Sequence, residues 1–416
     1  MKKLTILSLC LLAVASASAQ KSIVKEAEGK AKAGNDLPAV RTLLAPALTN
    51  EETKNEAQTW YVAGLIEFKD YDNLLGRRAV GQNKEGDEKT MGNDLIKGYE
   101  YFMAALPLDS VPELEKNGNP KLNKDGSPKI KTKYSKDIVK NLSAHYNDYV
   151  NGGQYLWEAK DYDGAYKLWD IYTSMPFNKS LGEDAPKVPN DTVLGEINYF
   201  KGLAAWQAEK LPLALEAFDA AIAKNYISQN LFDYAISVAA QANNNDKVIE
   251  LAERANELFG DSVSTYLTII INDKINNQKY EEAQRLLEKA ISVTPNNAEL
   301  YDVMGILYQS QENLEKAREY LEKAVALNPD YVKAQLDLGR VIFAQGAAID
   351  EANANLQAAE YNKLRNETID PLLKEAIPYL EKALLDDNTV SDARRILRSI
   401  YYTLGDEENL KRVEAM

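Results

Sequence analysis

The chain has 416 residues, and its 63 acidic side chains outnumber 49 basic ones, for a formal charge of −14 at pH 7. That balance argues against nucleic acid as a ligand and against general adhesion to anionic membranes, because both require a basic surface. A single histidine, His145, and a single cysteine, Cys10, leave little room for imidazole catalysis, thiolate chemistry, disulfides or cysteine metal sites.

In chain order, Lys2 and Lys3 lead an apolar run from Leu4 to Val14, and Ala17-Ser18-Ala19 then offers small residues to a signal peptidase. The run is too short to span a bilayer, so residues 1–19 read as a cleaved secretory signal. Cleavage before Gln20 leaves 397 residues without cysteine, with 47 basic side chains against 63 acidic ones and a balance of −16. The lipoprotein alternative, acylation at Cys10, has Leu9 where a small residue is wanted and only Leu4 to Leu9 as apolar core. No later apolar stretch approaches bilayer length. The expected mature chain therefore has no transmembrane segment and is exported: periplasmic, envelope-associated or secreted.

Residues 22–48 read as an initial helix pair. Trp60 and Gly64 open another that resumes at Gly98, Phe102 and Ala105, which makes 20–110 a region of degenerate pairs. Within it, residues 70–93 are polar and punctuated by Gly76, Gly81, Gly86 and Gly92, the signature of a long loop. In residues 111–135, Asp125-Gly126 lies between Lys121-Leu122-Asn123 and Lys129-Ile130-Lys131, a hairpin signal inside a helical protein. Seven lysines and one acid between Lys116 and Lys136 make this segment basic. Lys121, Lys124, Lys129 and Lys131 are its candidate contacts to an anionic partner such as a polysaccharide, a lipid headgroup surface or an acidic protein. The alternative is a solvated hairpin whose lysines discourage edge pairing.

Residues 136–263 hold further degenerate units. Gly153, Tyr162, Ala165 and Trp169 mark one near 146–179, and Gly202, Leu211, Ala214, Phe218 and Ala221 mark one near 195–228. Residues 229–263 have the right length and a faded pattern. Aromatic residues concentrate from Tyr146 to Tyr172, including Tyr149, Tyr155, Trp157, Tyr162, Tyr166 and Trp169. Such rings can stack on sugars or peptides, although the repeat itself requires several of them for packing.

The C-terminal part carries a ruler. Leu-Glu-Lys-Ala occurs at Leu287 to Ala290, Leu321 to Ala324 and Leu380 to Ala383; the first two copies are 34 residues apart and the third lies 59 further on, 25 more than one period. A 34-residue period with helical spacing predicts stacked helix-turn-helix units, two of them well formed at 264–331. In the second, Tyr301, Met304, Gly305 and Tyr308 share a stripe with Leu314, Ala317, Leu321 and Ala324, and Asn328-Pro329 closes the unit. The first repeats this with Tyr280, Ala283, Leu287, Ala290 and Pro295. In residues 332–390 the 25-residue excess falls between Gln345 and Asp370. Asp370-Pro371 reads as an N-cap and first-turn proline, which assigns the excess to one lengthened first helix, Gly346 to Asn366, projecting roughly 25–30 Å at 1.5 Å per residue. Pro378 is expected to kink the helix that follows. Leu397, Tyr401 and Gly405 open capping helices over 391–416.

The spacing of aromatic, glycine, alanine and proline positions resembles the tetratricopeptide repeat, specifically over 264–331 and more weakly over most of the chain. The resemblance implies an all-α, right-handed solenoid of stacked helix-turn-helix units with loop and hairpin insertions, no cofactor and no catalytic centre. It also implies a protein or peptide partner in a concave groove, lined in the best repeats by Asp302, Ile306, Gln309, Leu336, Arg340 and Phe343. These positions lack the Lys/Asn/Arg set with which some family members clamp a C-terminal carboxylate. Self-association through long exposed helices is a further expectation, and a glycan held by the aromatic units and the lysine-rich segment is the alternative ligand. The sequence has no phosphate cradle, nucleophile elbow, calcium loop or zinc motif. Asp109-Ser110-Val111, Asp191-Thr192-Val193 and Asp261-Ser262-Val263, all expected in turns or loops, resemble an O-glycan acceptor pattern of exported proteins in the Bacteroidota, with Ser110, Thr192 and Ser262 as acceptors.

Overall fold

The computed structural model describes residues 20–34, 36–260 and 264–416. The expected signal sequence with Cys10, and the tripeptide containing Ser262, lie outside the described residues. The chain divides after Asn244 into two units, both built of helices packed on their chain neighbours. The first holds α1 (20–33), α2 (Leu37–Thr49), α3 (Ala57–Ala79), α4 (Asp87–Asp109), a small β element with strands β1 (Val111–Pro112) and β2 (Ile130–Lys131), α5 (Ser135–Ala144), α6 (Asp148–Glu158), α7 (Tyr162–Ser174), α8 (Asp191–Gln207), α9 (Leu211–Ala223) and α10 (Gln229–Gln241). The second holds α11 (Asn245–Phe259), α12 (Ser264–Asn276), α13 (Tyr280–Val293), α14 (Ala298–Ser310), α15 (Leu314–Leu327), α16 (Val332–Ala352), α17 (Ala358–Leu364), α18 (Asp370–Ala383), α19 (Val390–Leu404) and α20 (Glu407–Glu414).

The turn inside each regular pair is one motif repeated. Lys160, Glu209, Gln278 and Glu312 have φ of 58°, 59°, 59° and 61°. The amide of the next residue reaches back five positions: Asp161 to Leu156 O (2.8 Å), Lys210 to Ala205 O (2.8 Å), Lys279 to Lys274 O (2.7 Å) and Asn313 to Tyr308 O (2.9 Å). This is the helix-terminating cap usually built on glycine. Here it uses side-chain-bearing residues, for which left-handed backbone costs about 1–2 kcal/mol.

The interior of each pair is set by a glycine on the first helix that receives a large side chain from the second. A Cβ on Gly153 would run into Trp169, one on Gly202 into Phe218, and one on Gly305 would lie 2.5 Å from Leu321 Cγ. In all three the partner is 16 residues downstream. Gly339 meets Leu380 and Gly64 meets Phe102 in the same way, at 41 and 38 residues. The excesses of 25 and 22 over that spacing locate two insertions, and the structure shows how each is absorbed. Both helices of the pair grow, each against the other.

Two expectations are corrected by this. Residues 70–93 are not a long loop: α3 and α4 are each 23 residues long, only 80–86 connect them, and Tyr71, Leu74 and Met91 are buried between them. The excess at 346–366 is not one projecting helix: α16 ends at Ala352, the chain turns, and α17 runs through a π turn at Arg365–Ile369 directly into α18. The Tyr361 hydroxyl donates to Asp350 Oδ1 (2.5 Å) across this hairpin. Asp370-Pro371 does not start a helix, because Ile369 before it is already helical. Pro371 lacks an amide and crowds the carbonyl four residues back, which is what a π turn at 365–369 accommodates. Pro378 also lies inside α18.

The β element exceeds a single hairpin. Its sequence is an octad: Pro112-Glu113-Leu114-Glu115-Lys116-Asn117-Gly118-Asn119, then Pro120-Lys121-Leu122-Asn123-Lys124-Asp125-Gly126-Ser127, then Pro128-Lys129-Ile130-Lys131. The two complete octads make the same bonds, Glu115 N to Asn119 O (2.7 Å) and Asn123 N to Ser127 O (2.8 Å), with Gly118 and Gly126 at φ of 86° and 82°. Three antiparallel ladders then meet at a ring of three bonds: Glu113 N to Lys129 O, Lys129 N to Lys121 O and Lys121 N to Glu113 O, each 2.7 Å. The result is a three-leaved clover. Its base is held by the buried carboxylate of Asp109, which accepts from the Tyr134 and Ser135 amides at 2.8 and 2.7 Å.

Candidate functional site

A concave feature of the second unit spans α14, α16 and the start of α19. It encloses ≈ 680 Å³, within the range of ligand-binding clefts. Its apolar floor is Ile306, Val332 and Leu336; its polar wall includes Gln309, Lys333, Arg340, Asp330, Asp337, Asp386 and Asp392. The helices that line it each open one pair, so stacking presents the same face of each to one groove.

Its electrostatics are cooperative. Lys333 Nζ lies 2.6 Å from Asp302 Oδ2 and 3.1 Å from Asp337 Oδ2. Arg340 donates to Asp337 Oδ1 (2.6 Å) and reaches Asp392 Oδ2 (3.4 Å). Both cations are thus committed to carboxylates, and Arg395, outside the lining, also donates to Asp392 Oδ1 (3.3 Å); four aspartates against one lysine and one arginine in the lining leave the wall acidic. Asp302 lies beneath, fully buried, and also accepts from the Tyr331 hydroxyl (3.3 Å). Burial first, and the Asp337 charge second, hold its carboxyl above the ordinary range.

The structure therefore gathers Ile306, Gln309, Leu336 and Arg340 into the groove, but not the other two residues expected there. Asp302 is covered by Lys333 and Tyr331 from the next pair, and Phe343 is part-buried against the hydrophobic core. Of the lysines expected to meet an anionic partner, Lys121 and Lys129 are paired to Glu113 at 2.9 and 3.0 Å. Lys124 and Lys131 are exposed and, among the described residues, have no ion pair. Ser110 and Thr192 are exposed, but Thr192 lies in the first turn of α8 and not in a loop, with Asn190 as its N-cap.

The aromatic cluster expected as a glycan platform is largely interior. Tyr146, Tyr149, Tyr155, Trp169 and Tyr172 are buried, and Tyr146 stacks on Tyr172 at 4.5 Å. His145 is interior too, stacked on Phe68 at 4.8 Å, with Nδ1 2.9 Å from Asp148 Oδ2. A cluster that pattern reading passed over is Arg41 with Glu67, Asp70 and Asp94. Arg41 forks onto Glu67 (2.9 and 2.8 Å) and also donates to Asp70 (2.9 Å), while Asp94 Oδ2 has no hydrogen-bond partner among the described residues. Burial, then the charges of Glu67 and Asp70, push Asp94 well above its ordinary value. Charged residues on an otherwise apolar helix face were the available signal. Among the described residues no group of side chains is arranged to hold a metal ion, and no helix is long and apolar enough to cross a membrane.

Residues 298–331, the pair α14–α15 with its closing turn, match the family model of the tetratricopeptide repeat. The protein thus carries a tetratricopeptide repeat within a series of helix pairs of the same kind. Such repeats generally mediate protein–protein interactions. No curated protein matches the chain. Similar solved structures include YrrB, described as a TPR protein with an unusual peptide-binding site (19% identity, TM-score 0.34, 49% of this chain and 96% of that one). Others are TTC0263, a thermophilic TPR protein in Thermus thermophilus (16%, 0.35, 50% and 99%), and MamA from Desulfovibrio magneticus (16%, 0.34, 46% and 97%).

Proposed function

We propose that the protein is a non-catalytic interaction scaffold whose second unit holds a peptide segment of a partner protein in the groove of α14, α16 and α19. The observation that carries this reading is the pairing of an apolar floor, Ile306, Val332 and Leu336, with an acidic wall whose own cations are already neutralised. A segment that suits it places an aliphatic side chain on the floor and a lysine or arginine against Asp386 and Asp392. Lys2, Lys3 and the apolar run to Val14 support a location in the cell envelope for this scaffold.

Selection of displayed random peptides on the full chain tests the groove. Basic–apolar segments should be enriched on the natural protein and lost on the Asp386→Lys, Asp392→Lys variant. Enrichment of acidic segments, or selection indifferent to the charge reversal, would sink the proposal.

A further inference from the structure

The clover at 111–131 takes no part in the groove, yet it is the most regular surface feature of the first unit. Each proline of the octad lies opposite an aliphatic residue: Leu114 with Pro120, Leu122 with Pro128, and Pro112 with Ile130. Residues opposite one another in an antiparallel ladder share a face, as do residues two apart along a strand. Pro112, Leu114, Pro120, Leu122, Pro128 and Ile130 therefore make up one face; Leu114, Leu122 and Ile130 are 57%, 62% and 46% exposed, far more than core aliphatics. The opposite face carries Glu113 between Lys121 and Lys129. Lys116 and Lys124 stand at the two turn tips, and among the described residues neither has an ion pair or a side-chain hydrogen bond; Lys131, opposite Val111, lies on the Glu113 face.

We propose that this apolar face docks on a lipid bilayer containing anionic lipids. Three aliphatic side chains sit at the headgroup–acyl boundary while the uncommitted lysines meet the phosphates, the division of labour used by interfacial anchors. The backbone favours lipid over a protein partner that adds a strand. The prolines have no N–H, the amides of 113, 121 and 129 close the central ring, and those of 115, 118, 123 and 126 are spent within the turns. Little strand edge is left for main-chain pairing, whereas a lipid interface asks for side-chain contact and penalises unpaired amides. The acidic surplus of the whole chain does not prevent this, because charges more than about 8–10 Å from the surface are screened at physiological salt.

Co-sedimentation of the full chain with vesicles tests the assignment. Binding is expected to vesicles of phosphatidylcholine mixed with phosphatidylglycerol, and to be weak with phosphatidylcholine alone. Lys116→Gln and Lys124→Gln should each weaken partitioning about fivefold, and Lys131→Gln, on the opposite face, should change it less. Leu114→Ser, Leu122→Ser and Ile130→Ser should each weaken it on the order of tenfold, with helical circular dichroism unchanged because all three are exposed. No sedimentation with the mixed vesicles, or a triple serine variant that binds as well as the natural chain, overturns the proposal. So does equal affinity for soluble polyglutamate that ignores the serine substitutions, which would assign the face to an acidic protein.

Discussion

At the scale of single residues, packing and charge make opposite demands that can be tested separately. Gly305 is where Leu321 crosses α14, and a Cβ there would also lie 3.2 Å from Ala317 O. Gly305→Ala therefore loses more to overpacking, about 1–3 kcal/mol, than the ~1 kcal/mol that alanine contributes through helix propensity. Gly76 is exposed inside α3 with nothing within 4 Å of an added Cβ, so Gly76→Ala should stabilise by about 0.5–1 kcal/mol. Thermal unfolding of the two variants should move in opposite directions. Asp94 provides the pH test. Its folded carboxyl titrates above the unfolded value of 3.8, so its contribution to stability is full below that pH and is lost as pH rises through the folded value. Asp94→Asn should leave unfolding unchanged near pH 4 and raise Tm at pH 8 by a few degrees, about 2–4 °C per kcal/mol. An equal shift at both pH values would show that burial does not perturb Asp94. Gly305 was legible in the sequence because the repeat spacing singles it out, whereas Gly76 was read as part of a loop. Asp302 was misplaced because the residues that cover it, Tyr331 and Lys333, come from the next pair, and helical periodicity sees only one helix at a time.

At the scale of elements, the lesson lies in the insertions. Matching tetrapeptides located 25 extra residues, but a helix and a helical hairpin have the same sequence length. What separates them is the contact of α16 with the α17–α18 helix, and this pairing appears only in three dimensions. The same holds for 70–93, where Gly76 and charges on the exposed sides of α3 and α4, Gly81 and Gly86 in the short connection, and the buried Gly92 together imitate a loop. Pro371 tests the account of the π turn. Pro371→Ala restores an amide and removes the ring clash, so the 365–369 segment should revert to α-helix with a gain of about 1–3 kcal/mol and slower amide exchange. Unchanged exchange across 365–371 would mean that the proline is not its cause. In the clover, Asp125-Gly126 announced one turn, and Asn117-Gly118 forms the other at the equivalent position of the octad. The octad was therefore readable. The ring that closes it was not, because its bond from Glu113 N to Lys129 O joins the two ends of the segment.

At the scale of the whole molecule, the groove belongs entirely to one unit. Every residue that lines it falls between Ile306 and Asp392, inside the unit that begins at Asn245. Residues 245–416 expressed alone should therefore be helical and retain the peptide affinity of the full chain. An unfolded or non-binding fragment would show that the groove depends on the first unit. The general architecture was legible because the 34-residue period is a property of one helix pair stacked on the next. The ligand chemistry was only half legible, since the acid surplus of the groove depends on which aspartates Lys333 and Arg340 already neutralise. The most direct test of that chemistry is calorimetric titration of a selected basic–apolar peptide into the natural chain, the Asp386→Lys, Asp392→Lys variant and the Lys124→Gln, Lys131→Gln variant. We predict a loss on the order of tenfold or more for the groove variant, as expected for reversed charge pairs, and no change for the clover variant. Equal affinity for all three proteins would contradict the groove as the binding site.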